Sequence, residues 1–542
     1  MLYTIDGENV NPICDINGKT ATAHDVNGNI LPTGDGLFFG NLPVSLSVKS
    51  AVDESICKQE YIGGYIEIQP DSWDGSPPST DATSNCWGFP MSISAEGQEA
   101  IKSEVFSGNG KGIMYIRFPL GFAYRGYKNF DKTTGLARNI GERWEGQNNA
   151  LAAWFDSIAL AGGGLAPEYW CPAPHWTTAG AYHGEDNTIC AGGSYDQSVT
   201  LASIKNIDAV QYATQIEAFT DAMLDDLEYL HQNIAPVRMF GLMGEPTETG
   251  VLYGKCAYDE QTYNDVLEVL YPKIQASEIL SAWNGQPNEV KLHVASSNEW
   301  NPFDGVAKTF IKNHADWIWA YSQDSITRDT SGEATPSAGY RSGADYYRQN
   351  HYLTNVKGNR GNVFTCEYEY FSTTEVPSDE FRCSNNMLRL INEFVYGGAA
   401  VLHPIIHICK PTGQNLAATN TTGYCIYAVN LDDGSYEPNT WAYNSWKMFN
   451  DNLPIGATVV GDYSKAITGA GWVTLSYDEK LYIFMANNSE NNLAIYLSFD
   501  ESKVFNGKVY SMDYLGERVQ ATAGKTIKFV VPAYSGICWV EQ

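Results

Sequence analysis

Between residues 213 and 230 the apolar side chains Ala213, Ile216, Phe219, Met223, Leu227 and Leu230 recur at intervals of 3, 3, 4, 4 and 3. That spacing lays one apolar stripe along an amphipathic helix. The pattern then changes. "VRMFGLM" (237–243) is a continuous apolar run, as a strand buried on both faces of a parallel sheet requires. Runs and stripes go on alternating to either side. Strands are predicted over 61–69, 112–120, 167–171, 237–243, 290–297, 315–322, 361–371 and 399–408. Helices are predicted around 93–104, over 148–164 where three glycines stop the pattern, and at "YNDVLEVLYPKI" and "NNMLRLINEFVYGG".

Eight strand–helix units predict an α/β fold, a (β/α)8 TIM barrel whose active site forms at the C-terminal strand ends. An open doubly wound sheet is the alternative, but no Gly-rich phosphate loop supports it. The two ends of the chain read differently. Residues 1–50 are rich in Gly, Asn and Asp and suggest a few strands and turns. After about 440, alternating strands joined by Asn/Gly/Asp turns predict an appended C-terminal β-sandwich. The expected organisation is 1–55 as N-terminal strands packing on the β-sandwich, 56–440 as the barrel, and 441–542 as the sandwich.

A net charge of −29 argues against nucleic acid, which needs a basic footprint, and against anionic membranes. A neutral ligand suits this field best. The 14 Trp, 34 Tyr and 21 Phe supply flat faces of the kind that line sugar clefts, and equally a large core. The eleven cysteines are scattered and form no C-x-x-C, so neither a zinc site nor a redox pair is expected, and most read as buried thiols. The first residues, "MLYTIDGENVNPICDING", contain no apolar h-region of a signal peptide. Localisation stays open between the cytoplasm and an extracellular site reached without a signal or after its removal. No window approaches a membrane span.

The candidate chemistry lies where "VRMFGLM" breaks. Glu245 stands just before Pro246, and a proline forbids the strand from continuing. A carboxylate is costly to bury, so it marks either a solvated strand end or a placed reactive group. The seventh strand, "NVFTCEYEYF", carries Glu367 and, two residues on and on the same face, Glu369. In a closed barrel strands four and seven face each other across the mouth. Retaining glycosidases need two carboxyl groups about 5–5.5 Å apart. Two charges that close repel by roughly 3 kcal/mol at an effective dielectric of about 20, on the order of two pK units. One carboxyl is then kept protonated as general acid and the other stays ionised as nucleophile. Glu367 is preferred because it ends the apolar run, and Glu369 is the alternative nucleophile.

Six segments together resemble glycoside hydrolase family 30. They are "YIGGYIEIQPDSW", "MYIRFPLGFAYRGY", "YWCPAPHWTTAG", "MFGLMGEPT", "FTCEYEYF" and "WAYNSWKMFNDNLPIGATVVG". They are similar, in order, to that family's first strand, its arginine-bearing second strand, its Pro-Trp segment after strand three, its acid/base strand, its nucleophile strand and the helix leading into its β-sandwich. The resemblance runs from about residue 60 to the end. It implies Glu245 as acid/base, Glu367 as nucleophile, and Arg117, Trp176 and Tyr321 as pocket residues. Trp170, His175, Asn298, Trp300 and Tyr368, beside strand ends, complete the candidate substrate-binding set. Two positions depart from the family pattern. Gly244 stands where an Asn usually binds the sugar 2-hydroxyl, and Ala320-Tyr321 stands where a His-aromatic pair is common.

The sequence therefore predicts a retaining β-glycoside hydrolase acting on a mainly neutral oligo- or polysaccharide, without cofactor or metal ion. The resemblance offers xylan, β-1,6-glucan or galactan, and related β-glycosides. The alternative is a catalytically inactive glycan-binding protein on the same barrel. Other motifs have plainer readings. His403 and His407 are expected on one face of the eighth strand as structural histidines. Trp317 and Trp319 read as core residues inside the sixth strand. "LDDGSYEP" reads as an acidic turn, lacking EF-hand spacing.

Overall fold

The computed structural model describes residues 13–14, 20–21, 46–52, 57–67, 93–106, 112–119, 149–169, 178, 200–244, 246–247, 257–297, 305–329, 362–372, 379–392, 394, 402–405, 407–412, 425–430, 433–438, 440–460, 469–511 and 517–542. Eight parallel strands organise the larger part: β1 (Gly64–Glu67), β2 (Ile113–Pro119), β3 (Gly164–Glu168), β4 (Met239–Gly241), β5 (Lys291–Ser297), β6 (Ala320–Asp329), β7 (Asn362–Ser372) and β8 (Leu402–Ile405). They hydrogen-bond in chain order from β1 to β7, and β8 pairs with β1. Strands β7 and β8 are also neighbours, with Cα atoms within 8 Å. Sequential order that returns on itself is that of a barrel, not of a doubly wound sheet. The chain has a TIM-barrel-like α/β fold.

Helices cover the sheet: α1 (Ala95–Val105), α2 (Asn149–Leu160), α3 (Leu201–Lys205), α4 (Ala209–Asn233), α5 (Glu260–Ala276), α6 (Lys308–Asn313) and α7 (Asp379–Asn392). Their starts are capped as sequence chemistry demands. Asp208 accepts from Gln211 N at 3.0 Å, and Asp259 accepts from Thr262 N at 2.9 Å. The predicted stripe on α4 is realised from Ile216 onward, while its first position, Ala213, is exposed. Ile216, Phe219, Met223, Leu227 and Leu230 are all buried against the outer face of the sheet. Burying each such side chain stabilises by about 1.5–3 kcal/mol. Among the described residues, no helix is long and apolar enough to cross a membrane.

Four boundaries differ from the sequence reading. The strand expected over 167–171 begins at Gly164, because the third glycine of "GGG" is part of the sheet rather than the helix stop. A Cβ there would sit 2.2 Å from the Pro236 carbonyl oxygen, so only glycine fits. Strand β6 covers 320–329 instead of 315–322. The apolar residues before it form a turn closed by Trp317 N donating to His314 O at 2.9 Å. Trp317 and Trp319 therefore precede the strand and are half-buried. The run 399–408 divides between β8 and a separate strand, β9 (His407–Thr412), which pairs with β10 (Cys425–Asn430), itself paired with β11 (Tyr436–Pro438). His403 and His407 thus lie on different strands. Helix α7 begins at Asp379, six residues before the predicted "NNMLRL" pattern.

Helix α8 (Thr440–Asn452) leads from the barrel to an antiparallel sheet of β12 (Thr458–Val460), β13 (Ala470–Tyr477), β14 (Lys480–Asn487), β15 (Leu493–Ser511), β16 (Glu517–Val531) and β17 (Ser535–Glu541). Two N-terminal strands join it, while among the described residues Ile13–Cys14 and Thr20–Ala21 pair only with each other. Leu46–Val52 pairs parallel with the first part of β15, and Cys57–Glu60 pairs with β12. One face of this sheet packs on α7 and α8, with Phe449 stacked on Phe484 at a centroid distance of 4.3 Å. Of the cysteines, Cys383 and Cys538 are buried in this packing.

Candidate active site

At the described positions of strands β1 to β6, side chains divide between the helix layer and the barrel interior. Ile66, Ile116, Leu165, Phe240, Leu292, Val294 and Tyr321 join the core beneath the helices. Tyr65, Tyr115, Ala166, Met239 and Ala320 form an apolar layer inside the barrel. The next inward positions toward the C-terminal ends are Arg117, Glu168, Gly241, His293 and Ser322. They make a polar layer directly above the apolar one.

That layer is one connected network. The Arg117 guanidinium donates to Glu168 Oε2 from Nε at 2.8 Å and from its terminal nitrogen at 2.5 Å. His293 Nε2 lies 3.4 Å from Glu168 Oε1. His293 Nδ1 lies 2.8 Å from Ser322 Oγ, whose hydroxyl also reaches the Val294 carbonyl at 3.1 Å. All four side chains are buried. Strand register explains the meeting of Glu168 and His293. Each is paired with Gly241 on β4, which lies between them and has no side chain. A Cβ at Gly241 would stand 2.2 Å from the His293 ring.

The electrostatics follow from burial. Desolvation pulls the His293 imidazole down to about 4, against the partly offsetting charge of Glu168, with Arg117 adding to the depression. The ring is neutral near pH 7. Ser322 has one proton to give: when it donates to Val294 O, Nδ1–H donates to Ser322 Oγ, and when it donates to Nδ1, the ring proton lies on Nε2 facing Glu168. The layer is a charge-balanced, rigid floor: one guanidinium, one carboxylate and a neutral imidazole.

Of the predicted site residues, Arg117 faces the barrel interior and forms part of this floor. Tyr321 does not face the interior. It is buried between sheet and helices, because its neighbours Ala320 and Ser322 take the inward positions. The sequence reading assigned it to the pocket because the family's aromatic falls there, but a one-residue difference in phase reverses the face. Glu367, Tyr368 and Glu369 lie on β7, opposite Asp324, Ser325 and Ile326 of β6, just past a bulge at Gln323/Asp324. The rung Glu168–Gly241–His293–Ala320–Asn362 runs unbroken across β3 to β7. Glu367 is five residues beyond that rung, toward the C-terminal end of β7. Glu245 is four residues beyond Gly241 in sequence and itself lies outside the described residues, as do Trp170, His175, Trp176, Asn298 and Trp300. Gly244, in the position of the family's Asn, is buried.

The sequence reading missed Glu168, His293 and Ser322. The available signal was a single polar residue at an inward position of an otherwise apolar strand, as in "KLHVAS" for His293. Tyr169, next to Glu168, points the opposite way and donates to Asp226 on α4, tying β3 to that helix. Among the described residues, no group of three His, Cys, Asp or Glu side chains is arranged to hold a metal ion.

No protein-family model matches the sequence, and no curated protein does. Solved structures match in fold. The family 30 subfamily 8 xylanase Xyn30A from Clostridium acetobutylicum superposes with a TM-score of 0.59 at 12% identity, covering 91% of this chain and 99% of that one. The catalytic domain of family 30 xylanase C from Talaromyces cellulolyticus gives 0.59 at 12% identity, over 91% and 100%. The endo-β1,6-glucanase BT3312 gives 0.57 at 11% identity, over 91% and 93%. The chain has a glycoside hydrolase family 30-like fold.

Proposed function

We propose that this chain is a retaining β-glycoside hydrolase acting on a mainly neutral glycan. Glu367 attacks the anomeric carbon while Glu245 protonates the departing glycosidic oxygen. Glu245 then removes a proton from water, which displaces Glu367 and releases the sugar with its original configuration. Glu369 is the alternative nucleophile. The Arg117–Glu168 ion pair, with the neutral His293 ring against Glu168, forms a charge-balanced floor under the site. The aromatic side chains Trp170, Trp176 and Trp300, with His175, Asn298 and Tyr368, form the sugar-binding wall.

The observation that carries this reading is the β6–β7 register, with Glu367 beyond the polar floor on the C-terminal side. The family 30-like fold supports the same chemistry, and the xylanase and β-1,6-glucanase among its structural neighbours favour xylan or β-1,6-glucan as first substrates. Gly244 removes the usual side-chain contact to the sugar 2-hydroxyl, which favours a sugar held there by other groups. The test is reducing-end release from xylan, β-1,6-glucan, galactan and aryl β-glycosides. Release lost in Glu245→Gln and Glu367→Gln but kept in Glu369→Gln supports the assignment. Release that survives Glu245→Gln and Glu367→Gln together rules it out.

We also read the chain as three parts, 1–55, 56–440 and 441–542, with the last a β-sandwich completed by N-terminal strands. Strand β15 supports this. Its first part pairs with Leu46–Val52 and its last part with β17. Residues Trp472, Ile483, Met485 and Trp539 share one core with Leu493, Ile495, Phe529 and Val531, as two facing layers would.

A further inference from the structure

We infer that the N-terminal end of the barrel carries a second saccharide-binding cleft, remote from the candidate active site. A cleft of about 630 Å³ lies there, within the size range of ligand sites. Its walls include Tyr271, Trp317, Trp319, Glu289, Lys291 and Asp316. Lys291 is the first residue of β5, and Trp319 immediately precedes β6, with its backbone N donating to Leu292 O at 2.9 Å. Both lie at the opposite strand ends from Glu367. The cleft is therefore not an extension of the active site.

The rings are held before any ligand arrives. Trp317 packs against His314 at a centroid distance of 4.1 Å, tilted by 32°, and His314 Nε2 is fixed 2.9 Å from Glu268 Oε1. Tyr271 lies 5.8 Å from Trp317, tilted by 38°. Trp319 packs against the apolar layer inside the barrel. Binding on such a wall orders few side chains and so loses little entropy.

The polar side chains decide the ligand class. Among the described residues, no protein hydrogen bond or ion pair engages the side chains of Glu289, Lys291 or Asp316. A wholly apolar ligand would strip water from these three charges and return nothing. An anion meets two carboxylates against one ammonium, and a cation drawn to the carboxylates leaves Lys291 without an acceptor. A neutral sugar satisfies both kinds of wall. Its C–H faces lie on the indole and phenol rings, and its hydroxyls donate to the carboxylates and accept from Lys291. Burial, followed by the charge of Glu289, pushes the Tyr271 hydroxyl up to about 12, so it stays a neutral donor. A chain held at this end raises the local concentration of polymer around the molecule.

The test is calorimetric titration of Glu367→Gln protein, in which turnover is suppressed, with soluble arabinoxylan and with β-1,6-glucan. The Tyr271→Ala and Asp316→Ala changes are then added singly and together. Tyr271 is half-buried and Asp316 exposed, and unchanged melting temperatures would confirm folding. The expected result is a cleft binding step weakened about fivefold or more by each change, the loss typical of one aromatic or polar anchor. Reducing-end release from aryl β-glycosides by the corresponding proteins with Glu367 intact should not change. Equal binding by the parent and the double variant overturns the inference, as does no binding to either polymer. If the hydrolase reading fails, the cleft step remains measurable and is still abolished by the double change.

Discussion

Glu168 and His293 meet across Gly241, with Oε1 and Nε2 3.4 Å apart and the intervening strand contributing no side chain. Gly241→Ala should therefore be expensive although it adds one methyl group. Its Cβ would fall 2.2 Å from the imidazole, and overpacking of this kind costs about 1–3 kcal/mol. Thermal melting should show a clear drop. An unchanged midpoint would mean that the ring is free to move.

His293 gives the fold a defined weakness toward acid. Burial holds the ring near 4, against 6.5 for an ordinary histidine. Above pH 6.5 it is neutral folded and unfolded, and contributes no pH dependence. As pH falls from 6.5 to 4 the unfolded chain takes up a proton that the fold refuses, so stability is lost, on the order of 3 kcal/mol in all. Urea midpoints across that window should fall less steeply in His293→Gln. Parallel curves would remove His293 as the cause.

Arg117 and Glu168 are a fully buried ion pair. Arg117→Met takes away the guanidinium that neutralises Glu168 and should cost about 3–5 kcal/mol. Adding Glu168→Gln removes the stranded charge, so the double variant should be more stable than the single one. A double-mutant cycle in urea tests this, and simple additivity would contradict it.

Glu104 on α1 accepts from Lys447 at 2.8 Å and also from Tyr427 and Tyr443. Burial raises its carboxyl, but these donors outweigh burial and hold it below the usual 4.5. The stabilisation it provides is complete above 4.5 and is lost as pH falls through the lowered folded value. Glu104→Gln should cost about 1.5–3 kcal/mol near neutral pH, the usual range for hydrogen bonds to a charged group. Its deficit should shrink below pH 4.5. A deficit constant down to the acid transition would assign the effect to packing.

The proposed chemistry predicts distinct rescue products. Replacing Glu245 or Glu367 by Gly should lower turnover about 10²–10⁴-fold or more. Azide added to Glu367→Gly attacks from the nucleophile side and yields an α-glycosyl azide. Azide added to Glu245→Gly intercepts the glycosyl-enzyme and yields a β-glycosyl azide. Product NMR distinguishes them, and the opposite pattern would exchange the two roles.

The sequence by itself determined the parallel, eight-stranded plan and the helix faces. Burial there has a local period: the α4 stripe and the apolar runs declare themselves within a few residues. Arg117 came from the family resemblance and not from the period of the strand. What tertiary structure decided depends on neighbours distant in sequence. Only register across three strands brings Glu168 to His293 over Gly241. Only the phase of β6 turns Ser322 inward and Tyr321 outward. The same shift takes Trp317 and Trp319 out of the strand and into the wall of a cleft, because the turn at His314 and the ladder contact to Leu292, not their own hydrophobicity, set where β6 begins.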